Sequence, residues 1–163
     1  MEHCQVVVGF DFSHSSHAAL ERAIALATRA PWHVLHVVAA IDPRMAFPAV
    51  PASHVDAAYA ERVEAAIHAL VDQELDDQLV RDRVRYSVHA RIGKPVKEIL
   101  GVASDVGADL ILVGTKGLTG LERAMVGSTA ERIVREAGCT VEVVRPKTYA
   151  YVPLLEVIDA PAV

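Results

Sequence analysis

The stretch from Asp109 to Thr129, DLILVGTKGLTGLERAMVGST, sets the tightest limits on what this chain can become. An apolar run from Leu110 to Val113, bounded by Asp109 and Gly114, has the length and composition of a buried strand. Gly114, Gly117 and Gly120 follow. Gly127, Ser128 and Thr129 then lead into an apolar periodicity at Ala130, Ile133, Val134 and Ala137 that predicts a helix. Strand, glycine-rich loop and helix start together offer backbone N–H groups to an anion. Glycine lets the chain approach closely, and first-turn amides have no helical partner. The Ser128 and Thr129 hydroxyls stand where a phosphate or a capping contact would use them. Two familiar phosphate loops are excluded: there is no Gly-Lys-Ser/Thr triplet, and the glycines miss the G-x-G-x-x-G spacing. On spacing alone, an ordinary strand-to-helix connection is an equal reading.

The rest of the chain supplies the context. Cys4 to Phe10 reads as a strand buried on both faces. Asp11-Phe12-Ser13 then precedes a helical pattern through Ala18, Ala19, Ala23, Ile24 and Ala27, with Ser13 or Ser15 as its N-cap. Trp32 to Ala40 is a second apolar strand. Pro43, Pro48 and Pro51 punctuate a long loop from Ile41 to Ser53, of the kind that forms lids or entrance walls. His54 to Val80 is a long amphipathic helix, and Val84 to Ala90 alternates like a more exposed strand. Gly93-Lys94-Pro95 turns the chain into a helix with Val96, Ile99, Leu100, Val102 and Ala103 inward, and Thr140 to Val144 is a last strand. Strands alternating with helices predict an α/β fold, an open doubly wound parallel sheet with helices on both faces. Ligands of such sheets sit beyond the carboxyl ends of the strands, where strand order reverses. If the first and fourth strands are neighbours, Asp11 and the Gly114 loop face one crevice. A carboxylate beside a phosphate cradle suits ribose hydroxyls or a magnesium ion.

Composition narrows the partners. The 163 residues are enough for one domain with a substantial core, and a formal charge of −5 argues against nucleic acid. No apolar run reaches membrane-spanning length and the first residues lack a signal pattern, so a cytoplasmic protein with no membrane partner is expected. Cys4 and Cys139 lie in apolar segments and are expected to be buried free thiols. His14 and His17, three apart at a helix start, lack a third ligand for a metal. His33 and His36 fall on opposite faces of a strand, and the eight histidines read as surface or core polar groups, not a cluster.

From about Cys4 to Arg145 the chain resembles the universal stress protein family. VVVGFDFSHSSHAAL looks like its first strand, acidic residue and helix start; VLHVV, GKPVKEIL and ADLILVGTKG resemble later landmarks. Most specific is the family's ATP-binding signature of glycine, two residues, glycine, nine residues, glycine, then serine or threonine. Gly114, Gly117, Gly127 and Ser128 satisfy every position. The resemblance implies a Rossmann-like, five-stranded sheet of order 3-2-1-4-5 and an ATP site in the crevice. It assigns Asp11 to ribose or Mg2+, Val37 to the neighbourhood of the adenine, Val113 and Gly114 to base and ribose, and Gly117, Gly127, Ser128 and Thr129 to the phosphates. Gly9 stands where the family often carries proline or alanine, which would loosen the adenine packing. TVEVVRP resembles a last strand that pairs across a homodimer. Residues 1–146 form the family-like domain, and 147–163 an extension whose VPLLEVI run would serve as an extra or exchanged strand.

The function expected on these grounds is an ATP-binding regulatory dimer in a stress response. The alternative is an interaction module that acts through its dimer surface without nucleotide. Phosphoryl transfer needs a metal and a group that orients the nucleophile. Asp11 would serve the first role and nothing nominates the second, which leaves at most slow hydrolysis or autophosphorylation at Ser128 or Thr129. Lys116 reads equally as a phosphate counter-charge or a solvated loop residue.

Overall fold

The computed structural model describes residues 3–75, 81–116 and 126–147. Strands and helices alternate as β1 (Cys4–Gly9), α1 (His14–Arg29), β2 (His33–Ile41), α2 (Ala57–Glu74), β3 (Arg85–Ile92), α3 (Pro95–Val106), β4 (Leu110–Gly114), α4 (Ser128–Glu136) and β5 (Thr140–Val144). The strands form one parallel sheet in the order β3-β2-β1-β4-β5. The chain winds outward from β1 to β3, then returns across the sheet to β4 and β5. Strand order therefore reverses between β1 and β4, and the connections leaving those strands part to opposite faces.

Two apolar layers follow from the two-residue period of the strands. On one face Val6, Val8, Leu35, Val37 and Leu112 pack with Ala19, Leu20 and Ala23 of α1 and Val63, Ile67 and Val71 of α2. On the other, Val7, Val38, Ile111 and Val113 meet Val96, Ile99 and Val102 of α3 and Ala130 and Ile133 of α4. β1 and β2 are interior strands buried on both faces, which is why their sequences run apolar without alternation. β3 and β5 are edges and carry polar residues between apolar ones.

The differences from expectation have local causes. α2 starts at Ala57, three residues late, because the Asp56 carboxylate accepts the Tyr59 N–H at 2.8 Å and fixes the first turn there. Its expected end at Val80 lies outside the described residues. β3 runs on to Ile92 because pairing with β2 continues through Ile41 and Ile92. Val134 is 53% exposed rather than inward, since α4 turns only the Ala130–Ile133 stripe to the sheet. The cysteines are free but only partly buried; burial and the Asp109 carboxylate push both thiols up. None of the described helices is long and apolar enough to cross a membrane.

Candidate functional site

A cleft of about 500 Å³ opens at the carboxyl ends of β1 and β4, where strand order reverses. Its floor is apolar: Val38 and Ala40 of β2, Val113 of β4 and Ile99 of α3. Asp11 and Ser13 enter from the β1–α1 turn, Gly114 to Lys116 from the end of β4, and Gly127 to Ala130 from the start of α4. Met45 and Phe47 close one side, so the proline-punctuated loop after β2 forms an entrance wall. That wall is pinned from below. The Tyr59 hydroxyl accepts the Phe47 N–H at 2.6 Å and donates to the Val50 carbonyl at 2.9 Å. Tyr59→Phe strands a buried N–H, so we expect it to cost about 1–3 kcal/mol in a denaturant titration.

The polar wall starts with a sharp turn. Phe12 adopts φ 63°, a left-handed conformation that is strained for a bulky residue, and its ring packs 5.0 Å from Phe10 and 5.3 Å from Phe47. This turn brings Asp11 to the cleft, where its Oδ1 accepts the Ser13 N–H at 3.0 Å. The Ser13 hydroxyl accepts the Ser16 N–H at 3.2 Å, which caps α1, and donates to the Lys116 carbonyl at 3.2 Å. One side chain thus ties the loop after β1 to the loop after β4. Ser15, the other cap candidate, instead lies inside, with its hydroxyl 3.3 Å from that of Thr115.

α4 begins differently from α1. Gly127 has no side chain with which to cap it, and helical bonding starts where the Glu131 N–H meets the Gly127 carbonyl at 3.0 Å. The amides of Ser128, Thr129 and Ala130 therefore have no partner within the helix, and these residues border the cleft. Gly127 is held against the end of β4 by its N–H, 2.6 Å from the Thr115 carbonyl. A side chain there would meet that same oxygen at 3.1 Å. Among the described residues bordering the cleft, Asp11, Asp42 and Glu131 stand against Lys116. Hydrogen bonds from Arg44 hold the Asp42 carboxyl down to about 2, so that charge is already engaged.

Of the residues singled out from sequence, Gly9, Asp11, Val113, Gly114, Gly127, Ser128 and Thr129 all border this cleft. Gly117 lies outside the described residues. Val37 requires a correction: it is wholly buried on the α1–α2 face, and its neighbour Val38 occupies the cleft floor. Gly9 also differs from expectation, because the space a side chain would take is filled by Ile99 Cδ1 at 2.9 Å and Val113 Cγ1 at 3.1 Å. Sequence reasoning missed Val38, Ala40, Phe47, Met45 and Ile99, all apolar residues that nothing in the sequence distinguishes from core.

A family model for the universal stress protein family matches residues 4–145. A relative in Staphylococcus aureus (strain USA300) that carries the same family name is 32% identical over 144 residues, covering 86% of this chain and 82% of that protein. The chain spans only 31% of the length of a universal stress protein of Methanocaldococcus jannaschii, with 51% identity over 53 residues, 32% of this chain. Among solved structures, universal stress protein UspA from Lactobacillus plantarum superposes with a TM-score of 0.62 at 26% identity, covering 89% of this chain and 99% of that one. A universal stress protein in complex with cAMP gives 0.59 at 24%, covering 89% and 98%. An Arabidopsis thaliana family protein with AMP bound gives 0.57 at 14%, covering 89% and 93%. The last two likenesses bear on fold alone. Given the match over residues 4–145 and the strand order, the chain belongs to the universal stress protein family.

Proposed function

We propose that the cleft binds an adenine nucleotide, ATP with Mg2+, and that the protein acts in the cytoplasm as a nucleotide-dependent regulatory homodimer in a stress response. The observation that carries this reading is the pairing of an apolar floor with the uncapped start of α4. A flat base fits against Val38, Val113 and Ile99, and the phosphates reach the amides of Ser128 to Ala130. The cAMP and AMP held by two structural neighbours are consistent with a nucleotide of this class. Electrostatics supports a metal: a triphosphate entering beside Asp11 and Glu131, with Lys116 as counter-charge, gains from a divalent ion. Asp11 and phosphate oxygens would supply the ligands that Mg2+ favours. The dimer is proposed through the β5 edge, whose Val141 and Val143 are only partly buried. In this reading residues 1–146 form the nucleotide-binding domain and 147–163 an extension to it.

The test is to denature freshly purified protein and identify any released small molecule by mass spectrometry, then titrate the emptied protein with Mg-ATP. ATP in a stoichiometric amount, or saturable Mg-ATP binding that weakens in Asp11→Ala, is the expected result. Protein that is empty and also ignores added Mg-ATP would sink the proposal in favour of an interaction module working without nucleotide.

A further inference from the structure

On the α3 side of the sheet, away from the cleft, three strand side chains converge. His36 of β2 is in register with Ser87 of β3, and His89 lies two residues further along the same face. Nδ1 of His36 is 2.9 Å from Ser87 Oγ and 3.1 Å from Nε2 of His89; Ser87 Oγ is 3.2 Å from that Nε2. On its far side, Nε2 of His36 is 2.8 Å from Gln5 Oε1. An amide oxygen only accepts, so His36 carries its proton on Nε2 and aims its Nδ1 lone pair at the other two atoms. All three side chains are partly exposed, two of them on the edge strand β3.

Three potential ligand atoms thus form a nearly equilateral triangle. Ligands of a tetrahedral divalent ion bound at about 2.0–2.1 Å sit about 3.3 Å from one another, so the triangle needs little expansion to become one face of such a shell. Gln5 supplies what metal-binding imidazoles commonly have, a partner on the other ring nitrogen that fixes tautomer and orientation. Burial, then the neighbouring His89, pushes His36 down, and burial followed by Arg91 does the same to His89. Both shifts favour the neutral ring, the form that ligates a metal. The carboxylates of Glu64 and Asp105 favour positive charge at His89; Arg91 opposes it and is itself bridged to Asp105 at 3.3 Å.

We propose that His36, His89 and Ser87 form a site for a divalent transition-metal ion of the zinc type, with water completing a tetrahedral shell. Among the described residues no three His, Cys, Asp or Glu side chains gather, so the third protein vertex is a hydroxyl. Two imidazole nitrogens select zinc, copper or nickel over magnesium, which separates this site from the Mg-nucleotide cleft. Binding requires the neutral His89 ring to hold its proton on Nδ1, leaving Nε2 for the metal.

The experiment is a calorimetric titration of the full chain with zinc chloride in the absence of nucleotide. One zinc per chain is expected, weakened in His36→Gln and in His89→Gln by at least about tenfold, the lower end of what losing even an outer partner costs a metal site. His68→Gln is the control, because His68 bonds Tyr86 on the α2 face (3.2 Å) and leaves the triangle intact. Should either variant fail to fold, nitrogen-15 NMR of the wild-type imidazoles decides. Shifts of His36 Nδ1 and His89 Nε2 on adding zinc support the site. No binding at millimolar zinc, binding that survives both variants, or shifts confined to other histidines overturns it.

Discussion

Replacing Gly114 by alanine is expected to destabilise the protein by about 3 kcal/mol, the upper end of overpacking costs, and to lower the thermal midpoint by roughly 6–12 °C. The reason is a close approach of α1 to the end of β4. A Cβ at position 114 would lie 2.5 Å from the Ser15 carbonyl carbon, 2.6 Å from Ser15 Cβ and 2.7 Å from its carbonyl oxygen. Backbone atoms cannot swing aside as a side-chain tip can, so α1 must move bodily away from the sheet. Among the described glycines only Gly107 has positive φ, so the cost at 114 is one of space, with no left-handed strain added. Gly101→Ala is the control in the same scan: nothing lies within 4 Å of its missing Cβ, and alanine in a helix interior stabilises by about 0.5–1 kcal/mol. Equal midpoints for Gly114→Ala and wild type would mean that α1 does not sit this close to β4.

Gly114 thus meets a packing need that also benefits the cleft. With no side chain between them, Ser15 and Thr115 approach to 3.3 Å, and Ser13 reaches the Lys116 carbonyl at 3.2 Å. The loop after β4 is therefore anchored to the start of α1 before it turns toward α4. Thr115 is the junction: its N–H donates to the Val144 carbonyl at 3.0 Å, and its carbonyl receives the Gly127 N–H. β5, β4 and the start of α4 are fixed relative to one another through this one residue. A preorganised wall of amides binds an anion without first having to order itself.

Sequence revealed the fold better than it revealed the cleft lining. Apolar runs bounded by glycine and proline located the strands, and β5 falls at Thr140–Val144 as the pattern placed it. Helix starts were legible where a proline or a glycine marked them, as at Pro95 and Gly127, whereas the Asp56 cap of α2 was passed over and Ser13 was not told from Ser15. Facing was not legible on β2, because an interior strand is apolar on both sides. Val37 and Val38 are both wholly buried, and only the packing of α3 against the sheet makes Val38 the one under the cleft. Phe47 and Met45 sit in a loop with no periodicity to read, and Phe47 is placed by a tyrosine hydroxyl twelve residues away. The contact between His36 and His89 was not legible for a related reason. His36 and His89 are 53 residues apart, and their approach depends on the register of two parallel strands. Gly114 and Gly127 both border the cleft, but their separate jobs were not legible in the sequence.

Gly127→Val separates those jobs. Gly127 has φ −71° and ψ 153°, which valine adopts readily, so the backbone itself does not forbid the change. What resists it is the Thr115 carbonyl oxygen, a tight 3.1 Å from the added Cβ, with two further methyls to accommodate between it and Lys116 Cα at 3.6 Å. The start of α4 must withdraw from β4, which breaks the 2.6 Å bond to Thr115 and moves the amides of Ser128 to Ala130. α4 reaches the core through Ala130 and Ile133 and lies toward the β5 edge, so a shift of its first turn leaves the sheet in place. The expected result is a folded protein whose affinity for Mg-ATP falls about a hundredfold or more, as loss of one or two hydrogen bonds to a charged group would cause. Far-ultraviolet circular dichroism and a thermal scan establish folding, and calorimetry reads the affinity. Wild-type affinity in the folded variant would remove the start of α4 from the nucleotide site. Lost affinity alongside an intact fold would place the phosphates there, the opposite of the pattern expected for Gly114→Ala, where stability falls first.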